Sequence, residues 1–229
     1  MAGQQVTMLE SLYQIYADWV AGLPFVCRQG CAACCTQSVT MTSGEGAVMV
    51  AFLEKIGQRT AAEAALAGVH LPAVSAAGRP AMTTNQFAAS CLAREELPWA
   101  EPAAWNFAPC IFLAHDSCSI YPARPFGCRS FGSFVPCEQA GTAELPGMLL
   151  TVNTVMLQVI EHLYSNGGWW GNMNDILRQQ LGQEKATGAD LRPAVPVPGF
   201  LLEPAEKQTI LALLDRVRQA GLADLTGFV

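Results

Sequence analysis

Four cysteines stand close together near the start of the sequence, in the pattern Cys27-x3-Cys31-x2-Cys34-Cys35. Thiolate sulfur is a soft ligand that binds zinc and iron–sulfur clusters. If this segment were helical, Cys27 and Cys34 would lie about 10.5 Å apart along the axis, too far to share one zinc ion through bonds of about 2.3 Å. One zinc ion therefore requires a tight loop, which Gly30 permits, whereas a multinuclear cluster or two adjacent sites could use the array more freely.

A second set of cysteines follows much later in the chain, in a segment rich in proline and glycine. The prolines lower the entropy that is lost when distant thiols gather on a metal. The two sets together predict metal ligation by eight cysteines, namely Cys27, Cys31, Cys34, Cys35, Cys110, Cys118, Cys128 and Cys137. His115 lies between Cys110 and Cys118 and could replace a thiolate, although a histidine among enough cysteines is more often a neighbouring or surface group.

The alternative for any of these cysteines is burial as a small hydrophobic residue. We favour that alternative for Cys91, which stands alone in a helical pattern. Disulfides are disfavoured because the first residues carry no visible secretory signal and a reducing cytoplasm is the expected location.

Three arginines stand close to the cysteines in sequence and are candidates for contacts around the metal centre. Eight thiolates with two divalent ions would leave a formal charge of about −4, which nearby guanidinium groups would compensate. The candidates are Arg28, Arg124 and Arg129, and the alternative is that they are solvated surface residues.

The spacing from Cys27 to Cys34 also occurs in radical S-adenosylmethionine enzymes, which hold a [4Fe–4S] cluster. In that family the residue before the third cysteine is usually aromatic, whereas here it is Ala33. The sequence also lacks the alternation of strands and helices that a βα barrel requires, so we set this reading aside.

The two cysteine sets together resemble the YkgJ-type cysteine-cluster proteins, also described as a zinc- or iron-chelating or CxxCxxCC domain and often labelled iron–sulfur-cluster-containing proteins. The resemblance covers about residues 25–140 and is carried by the first array and by the segment Cys118-Ser-Ile-Tyr-x2-Arg-Pro-x2-Cys128-Arg. Here the first gap is three residues where the family usually has two, and Ala33 replaces a frequent glycine. The resemblance implies a metal centre and leaves the metal's identity open.

Helical periodicity dominates the rest of the chain and predicts a mainly α fold with little sheet, in which helices surround a Cys-rich, Pro-rich ordered loop region from Pro98 to Cys137. We expect helices at 8–21, 44–57, 149–163, 173–181 and 204–220, with Thr42 or Ser43 and Thr83 or Thr84 as amino-terminal caps. Because every cysteine precedes residue 138, we expect a metal-binding body at 1–140 and a helical part at 141–229 packed on it.

Composition excludes several function classes. A formal net charge of −6 without any basic block argues against nucleic-acid binding. The longest apolar stretch is interrupted by polar residues, so no membrane span is expected.

Two function classes stay open. The metal could be a redox or catalytic centre that serves electron transfer or maturation of a partner, or it could be structural zinc or cargo in a chelating or delivery module. No motif assigns a reaction, and whether the chain is an enzyme stays undecided.

Overall fold

The protein is described from a computed structural model that covers residues 2–69, 80–96, 108–183 and 191–222. The mainly α fold that the sequence predicts is confirmed. The first part of the predicted loop region, from Pro98 to Phe107, lies outside the described residues. In chain order the helices are α1 (Ala2–Val20), α2 (Ser43–Lys55), α3 (Arg59–Ala67), α4 (Thr84–Leu92), α5 (Phe126–Ser130), α6 (Cys137–Ala140), α7 (Gly147–Leu163), α8 (Met173–Gln180) and α9 (Lys207–Gln219).

A 3-10 helix (Tyr121–Ala123) and two small antiparallel sheets complete the described secondary structure, in agreement with the expectation of little sheet. The larger sheet has the order β1, β4, β5 and consists of β1 (Thr40–Thr42), β4 (Trp169–Asn172) and β5 (Arg192–Pro193). The pairing of β1 with β4 places Met41 opposite Gly171 and so links distant parts of the sequence. The smaller sheet is a hairpin of β2 (Leu113–Ala114) and β3 (Ser117–Cys118) inside the Cys-rich region.

Two helices begin at the threonines that the sequence suggests as caps. The Thr42 side chain accepts from the backbone N–H of Glu45, and the Glu45 side chain in turn accepts from the Thr42 backbone, which completes a capping box at α2. Thr83 and Gln86 form the same arrangement at α4. Each box satisfies backbone donors that the first helical turn leaves unpaired.

Two hydrophobic cores hold the helices together. The first core joins α1, α7 and α9, and it includes the whole predicted apolar face of α9, which is Ile210, Leu213, Leu214 and Val217. The second core joins α2, α3 and α8 and also contains Phe112 and Ile120, which flank the small hairpin. Full burial of such side chains contributes about 1.5–3 kcal/mol each, so these two residues anchor the Cys-rich region to the helices.

Both parts of the chain contribute to the first core and to the larger sheet. Helix α1 packs on α7 and α9, and β1 pairs with β4. The boundary at residue 140 stays a prediction. Among the described helices, none combines the length and the apolar character that a bilayer crossing demands.

Candidate metal centre

The first cysteine array is a succession of turns rather than a helix. The backbone N–H of Cys31 donates to the carbonyl of Arg28 at 3.0 Å, and the N–H of Cys35 donates to the carbonyl of Ala32 at 3.0 Å. Within the first of these turns, Gly30 has φ of 92°, a left-handed conformation that glycine adopts without steric cost. The array is therefore the kind of tight loop that the sequence permits at Gly30.

Four different local structures present the later cysteines. Cys110 precedes the hairpin, and Cys118 ends the hairpin's second strand opposite Leu113. Cys128 lies in the middle of α5, and Cys137 is the first residue of α6. None of these elements has enough length to show a sequence periodicity, which is why the segment reads as loop from sequence.

Backbone hydrogen bonds bring the two cysteine sets together. The N–H of Cys110 donates to the carbonyl of Cys35 at 2.9 Å, and the N–H of Gln37 donates to the carbonyl of Ala108 at 3.0 Å. These bonds flank an antiparallel bridge between Thr36 and Pro109. Segments that lie more than 70 residues apart in sequence are thus paired side by side. A second link joins Val26 N–H to the carbonyl of Ser133 at 3.0 Å.

Four thiols near this pairing act on one another electrostatically, and we call them the inner group: Cys35, Cys110, Cys118 and Cys128. All four residues are partly buried. Burial first, then Cys118 and Cys35, raises the pKa of Cys110 to about 11. Burial first, then the other three members of the group, raises the pKa of Cys128 well above its ordinary value.

The remaining four thiols form a second neighbourhood, which we call the outer group: Cys27, Cys31, Cys34 and Cys137. Burial first, then Cys31 and Cys137, raises the pKa of Cys27. Burial first, then Cys35, Cys27 and Cys31, raises the pKa of Cys34 to about 11, although the residue as a whole is exposed, as Cys31 is. Cys35 acts on its sequence neighbour Cys34, and Cys31 in turn raises the pKa of Cys35, so the two groups are in electrostatic contact.

Backbone N–H groups point at several sulfur atoms. These hydrogen bonds lower each thiol's pKa against the effect of burial, and they join Ser133 to Cys27, Phe112 to Cys110, and Ile120 to Cys118. A donor aimed at sulfur favours the thiolate and helps to fix the orientation of a metal ligand.

The three candidate arginines have different surroundings. Arg124 lowers the pKa of three inner thiols, those of Cys35, Cys118 and Cys128, which places its positive charge beside that group. Its guanidinium lies 3.8 Å from the centre of the Tyr121 ring, and its buried Nε has no hydrogen-bond partner among the described residues. A buried donor without an acceptor lowers the stability of the fold by about 1–3 kcal/mol. A thiolate or a sulfide of a bound metal centre would supply the missing acceptor.

Arg129 and Arg28 are placed elsewhere. Arg129 donates to the carbonyls of Arg124 at 2.8 Å and Pro122 at 2.6 Å, and its guanidinium lies 4.3 Å from the Tyr13 ring centre. It therefore fixes the turn that carries Arg124. Arg28 is exposed within the first array. The assignment of these arginines to the surroundings of a metal stays a prediction.

His115 and Cys91, the other two residues considered from the sequence, have surroundings that differ from those of the two thiol groups. His115 is an exposed residue at the hairpin turn with φ of 49°. Cys91 lies on α4, the helix that packs on α7. All nine cysteines are free thiols in the structure. Within the described residues, no three His, Cys, Asp or Glu side chains are gathered closely enough to hold a metal ion.

The donor set nevertheless fits a sulfur-ligated metal or cluster in its chemistry. The inner group offers four thiols, two of them with N–H donors aimed at sulfur, beside a buried guanidinium nitrogen that lacks an acceptor. Such a centre needs thiolate ligands, donors that orient them, and a positive charge that offsets the excess of negative charge. Binding requires the sulfur atoms to draw closer together than they lie in the structure.

Glu45 is a buried acid in the first turn of α2 that the sequence analysis does not propose as a site residue. One of its carboxylate oxygens accepts from Tyr13 Oη at 2.9 Å and from the backbone N–H of Phe126 at 2.7 Å. Gly44 and Gly46, on either side of Glu45, are the sequence feature that could have indicated a closely packed residue here. A Cβ on Gly44 or Gly46 would collide with Tyr164 or Ile176, so these glycines serve close packing around Glu45.

Comparison with protein families identifies the class to which this architecture belongs. The family model CxxCxxCC, described as "Putative zinc- or iron-chelating domain", matches residues 26–144. The chain belongs to this family, as the resemblance in the sequence indicates. No curated protein and no solved structure matches the chain.

Proposed function

We propose that this chain is a metal-binding protein that holds an iron–sulfur cluster or zinc through the thiols of the inner and outer groups. The observation that carries the proposal is the backbone pairing at Cys35 and Cys110, which joins the two cysteine sets. Together the sets supply eight sulfur ligands, the number that two four-ligand centres need. The family description, which names zinc or iron, supports the same chemistry.

The electrostatics of the thiols favour a bound cation over simple burial. Burial first, and then neighbouring cysteines, raise the pKa of Cys34 to about 11 and that of Cys128 well above its ordinary value, so these two thiols stay protonated without metal. A bound metal ion or cluster would offset the mutual repulsion of the thiolates and so favour their deprotonated form. Ordinary core cysteines would need neither N–H donors aimed at sulfur nor an arginine beside them.

Iron–sulfur chemistry is our first candidate, with electron transfer or maturation of a partner as the role. When bound, a cluster would supply one-electron redox chemistry at this position. The chain's own contribution would be the hydrogen bonds to the sulfurs of Cys110 and Cys118 and the charge of Arg124, which are features that tune the potential of such centres.

Zinc is the second candidate, and the conformation of the first array favours it. A helical array would have separated Cys27 from Cys34 too widely for one zinc ion, but the observed turns around Gly30 remove that restriction. In this case the protein is a structural-zinc, chelating or delivery module without catalytic activity of its own.

The deciding experiment is metal and sulfide analysis, with an absorption spectrum, on the full chain purified without oxygen. Inorganic sulfide with broad visible absorbance supports an iron–sulfur cluster. A colourless preparation with stoichiometric zinc and no sulfide rejects the cluster and supports the second candidate. A preparation that binds neither metal after reconstitution overturns the proposed function.

We also propose a cytoplasmic location and no nucleic-acid partner. Free thiols that bind metal persist in reducing compartments, and all nine cysteines are free. The net charge of −6 opposes binding to a phosphate backbone.

A further inference from the structure

We propose that Asn166 is a modification site, at which the backbone nitrogen of Gly167 attacks the asparagine side chain and converts it to aspartate or isoaspartate without an enzyme. The site lies in the turn between α7 and β4, outside both cysteine sets. The proposal goes beyond the proposed function and does not depend on metal binding.

Asn166 differs from the other asparagines in sequence and in exposure. It is the only asparagine in the chain that glycine follows, and glycine has no side chain to hinder the approach of its own nitrogen. Asn166 is exposed. The other asparagines that the structure describes are at most 8% exposed, and they are Asn85, Asn153, Asn172 and Asn174. Among these five residues, Asn166 alone has a side chain that the solvent reaches freely.

Both reacting groups are available in the structure. Gly168, the next residue, donates its N–H to the carbonyl of Tyr164 at 2.9 Å. By contrast, within the part of the chain that the structure describes, neither the N–H of Gly167 nor the side chain of Asn166 has a hydrogen-bond partner. The nitrogen of Gly167 can therefore approach the side-chain carbon of Asn166 without breaking an existing hydrogen bond.

The turn borders a cavity beside the start of α2. The cavity has a volume of about 200 Å³, and Asn166, Gly167, Ser43 and Gly44 line part of it. The amino-terminal end of a helix carries a partial positive charge, which favours a carboxylate nearby. The negative charge that the reaction creates at residue 166 thus lies in a favourable place.

The reaction consumes water and releases ammonia without any change of oxidation state. The Gly167 nitrogen gives up its proton and forms a bond to Cγ of Asn166, while the bond from Cγ to Nδ2 breaks and ammonia leaves with that proton. Water then opens the cyclic succinimide that results. Opening between Cγ and the nitrogen gives aspartate. Opening between the main-chain carbonyl carbon and the nitrogen gives isoaspartate, in which the chain continues through the former side chain.

Isoaspartate disturbs the larger sheet, because it lengthens the main chain by one carbon just before β4. The Gly168 carbonyl accepts from the N–H of Ala194 at 3.0 Å, and the N–H of Trp169 donates to Ser43 Oγ at 3.0 Å. These bonds hold the start of β4 beside the end of β5 and the start of α2. A displaced chain at residue 166 weakens them, whereas aspartate leaves the main chain as it was.

The test is incubation of the full chain at mildly alkaline pH under reducing conditions, followed by peptide mapping with mass spectrometry. We expect the mass increase of an amide-to-acid conversion in the peptide that contains Asn166, in two isomeric forms, and a shift of the intact chain to a more acidic isoelectric point. Asn166→Gln keeps an amide at this exposed position and should abolish the shift. A mass increase that appears first at another asparagine overturns the proposal. So does an Asn166 that stays intact in the folded chain while the urea-unfolded chain is modified there.

Thermal unfolding separates the effect of isoaspartate from that of the new charge. The incubated chain should unfold at a lower midpoint temperature than the fresh chain. Asn166→Asp has the charge on an unchanged main chain and should unfold at the midpoint of the fresh, unaltered chain. An incubated sample that is rich in isoaspartate but has an unchanged midpoint contradicts the effect on the sheet. Metal content tests the proposed function separately, so either proposal can fail without the other.

Discussion

A carboxylate oxygen of Glu45 accepts the backbone N–H of Phe126 at 2.7 Å, two residues before the inner thiol of Cys128. The other oxygen accepts from the backbone N–H and the hydroxyl of Thr42, at 2.8 Å and 2.9 Å. Glu45 is 3% exposed, so these bonds form away from water. One buried side chain thus caps α2 and fixes the start of the helix that carries Cys128.

We predict that Glu45→Ala lowers the free energy of unfolding by about 3 kcal/mol, because buried donors lose a charged acceptor. It should also weaken metal binding at the inner group, since Phe126 no longer holds the start of α5. Urea unfolding measures the first effect, and metal content after dialysis against a chelator measures the second.

The matched control for Glu45→Ala is Tyr13→Phe, which removes one hydrogen bond to Glu45 and leaves the bond to Phe126. This variant should cost about 1 kcal/mol and keep the metal content of the unaltered chain. Equal metal content in both variants would show that Glu45 does not position Cys128.

Substitution of individual cysteines tests the ligand assignment. We predict that Cys34→Ser and Cys128→Ser each reduce the bound metal, because each removes one sulfur from a different four-thiol group. Cys91→Ser should leave it unchanged, since Cys91 lies on α4. Elemental analysis of the three purified variants provides the measurement. If Cys91→Ser alone strips the metal, the ligand assignment is wrong.

Local signals predict the helices and their caps well. The apolar stripe of α9 from Ile210 to Val217 is buried as its periodicity indicates, and Thr42 and Thr83 cap the helices that they precede. Such features depend on residues within one or two turns of each other, so a sequence contains the information that fixes them.

Features that depend on distant pairings could not be predicted in this way. The pairing of Met41 with Gly171 joins strands of three and four residues, too short to show an alternating pattern. The nearness of the two cysteine sets depends on the backbone bond between Cys35 and Cys110, which no local spacing reveals. The assignment of the eight cysteines as metal ligands therefore stays a prediction, and the sequence alone does not reveal which of them lie near one another.

Arg124 should stabilise the inner thiolates through its charge. We predict that Arg124→Gln weakens metal binding at the inner group by about tenfold to a hundredfold, because the cation that lowers the pKa of Cys35, Cys118 and Cys128 is lost. Competition with a chelator of known affinity measures the change. Arg28→Gln removes an exposed charge and should have little effect. A similar loss in both variants would mean that only net charge matters.

Glu161 provides a pH dependence that is independent of the metal. Its carboxylate accepts from the backbone N–H groups of Asn85 at 2.9 Å and Val195 at 3.0 Å, yet burial is the larger effect and raises its pKa above the ordinary 4.5. A carboxyl whose pKa is raised by folding prefers the protonated form in the folded state. Its contribution to stability is fully present below the unfolded pKa and is lost as the pH rises through the folded pKa.

We therefore predict that the difference in free energy of unfolding between the unaltered chain and Glu161→Gln changes with pH. Above pH 4.5 the unaltered chain should lose stability relative to the variant, because only the unaltered chain must bury a charge as Glu161 ionises. Urea unfolding of both proteins at a series of pH values gives this difference and cancels the contribution of thiols and other carboxylates. A difference that is constant across the series would mean that the hydrogen bonds to Glu161, from the Thr83 side chain and from backbone N–H groups, balance burial, and a difference that moves in the opposite direction would mean that they outweigh it.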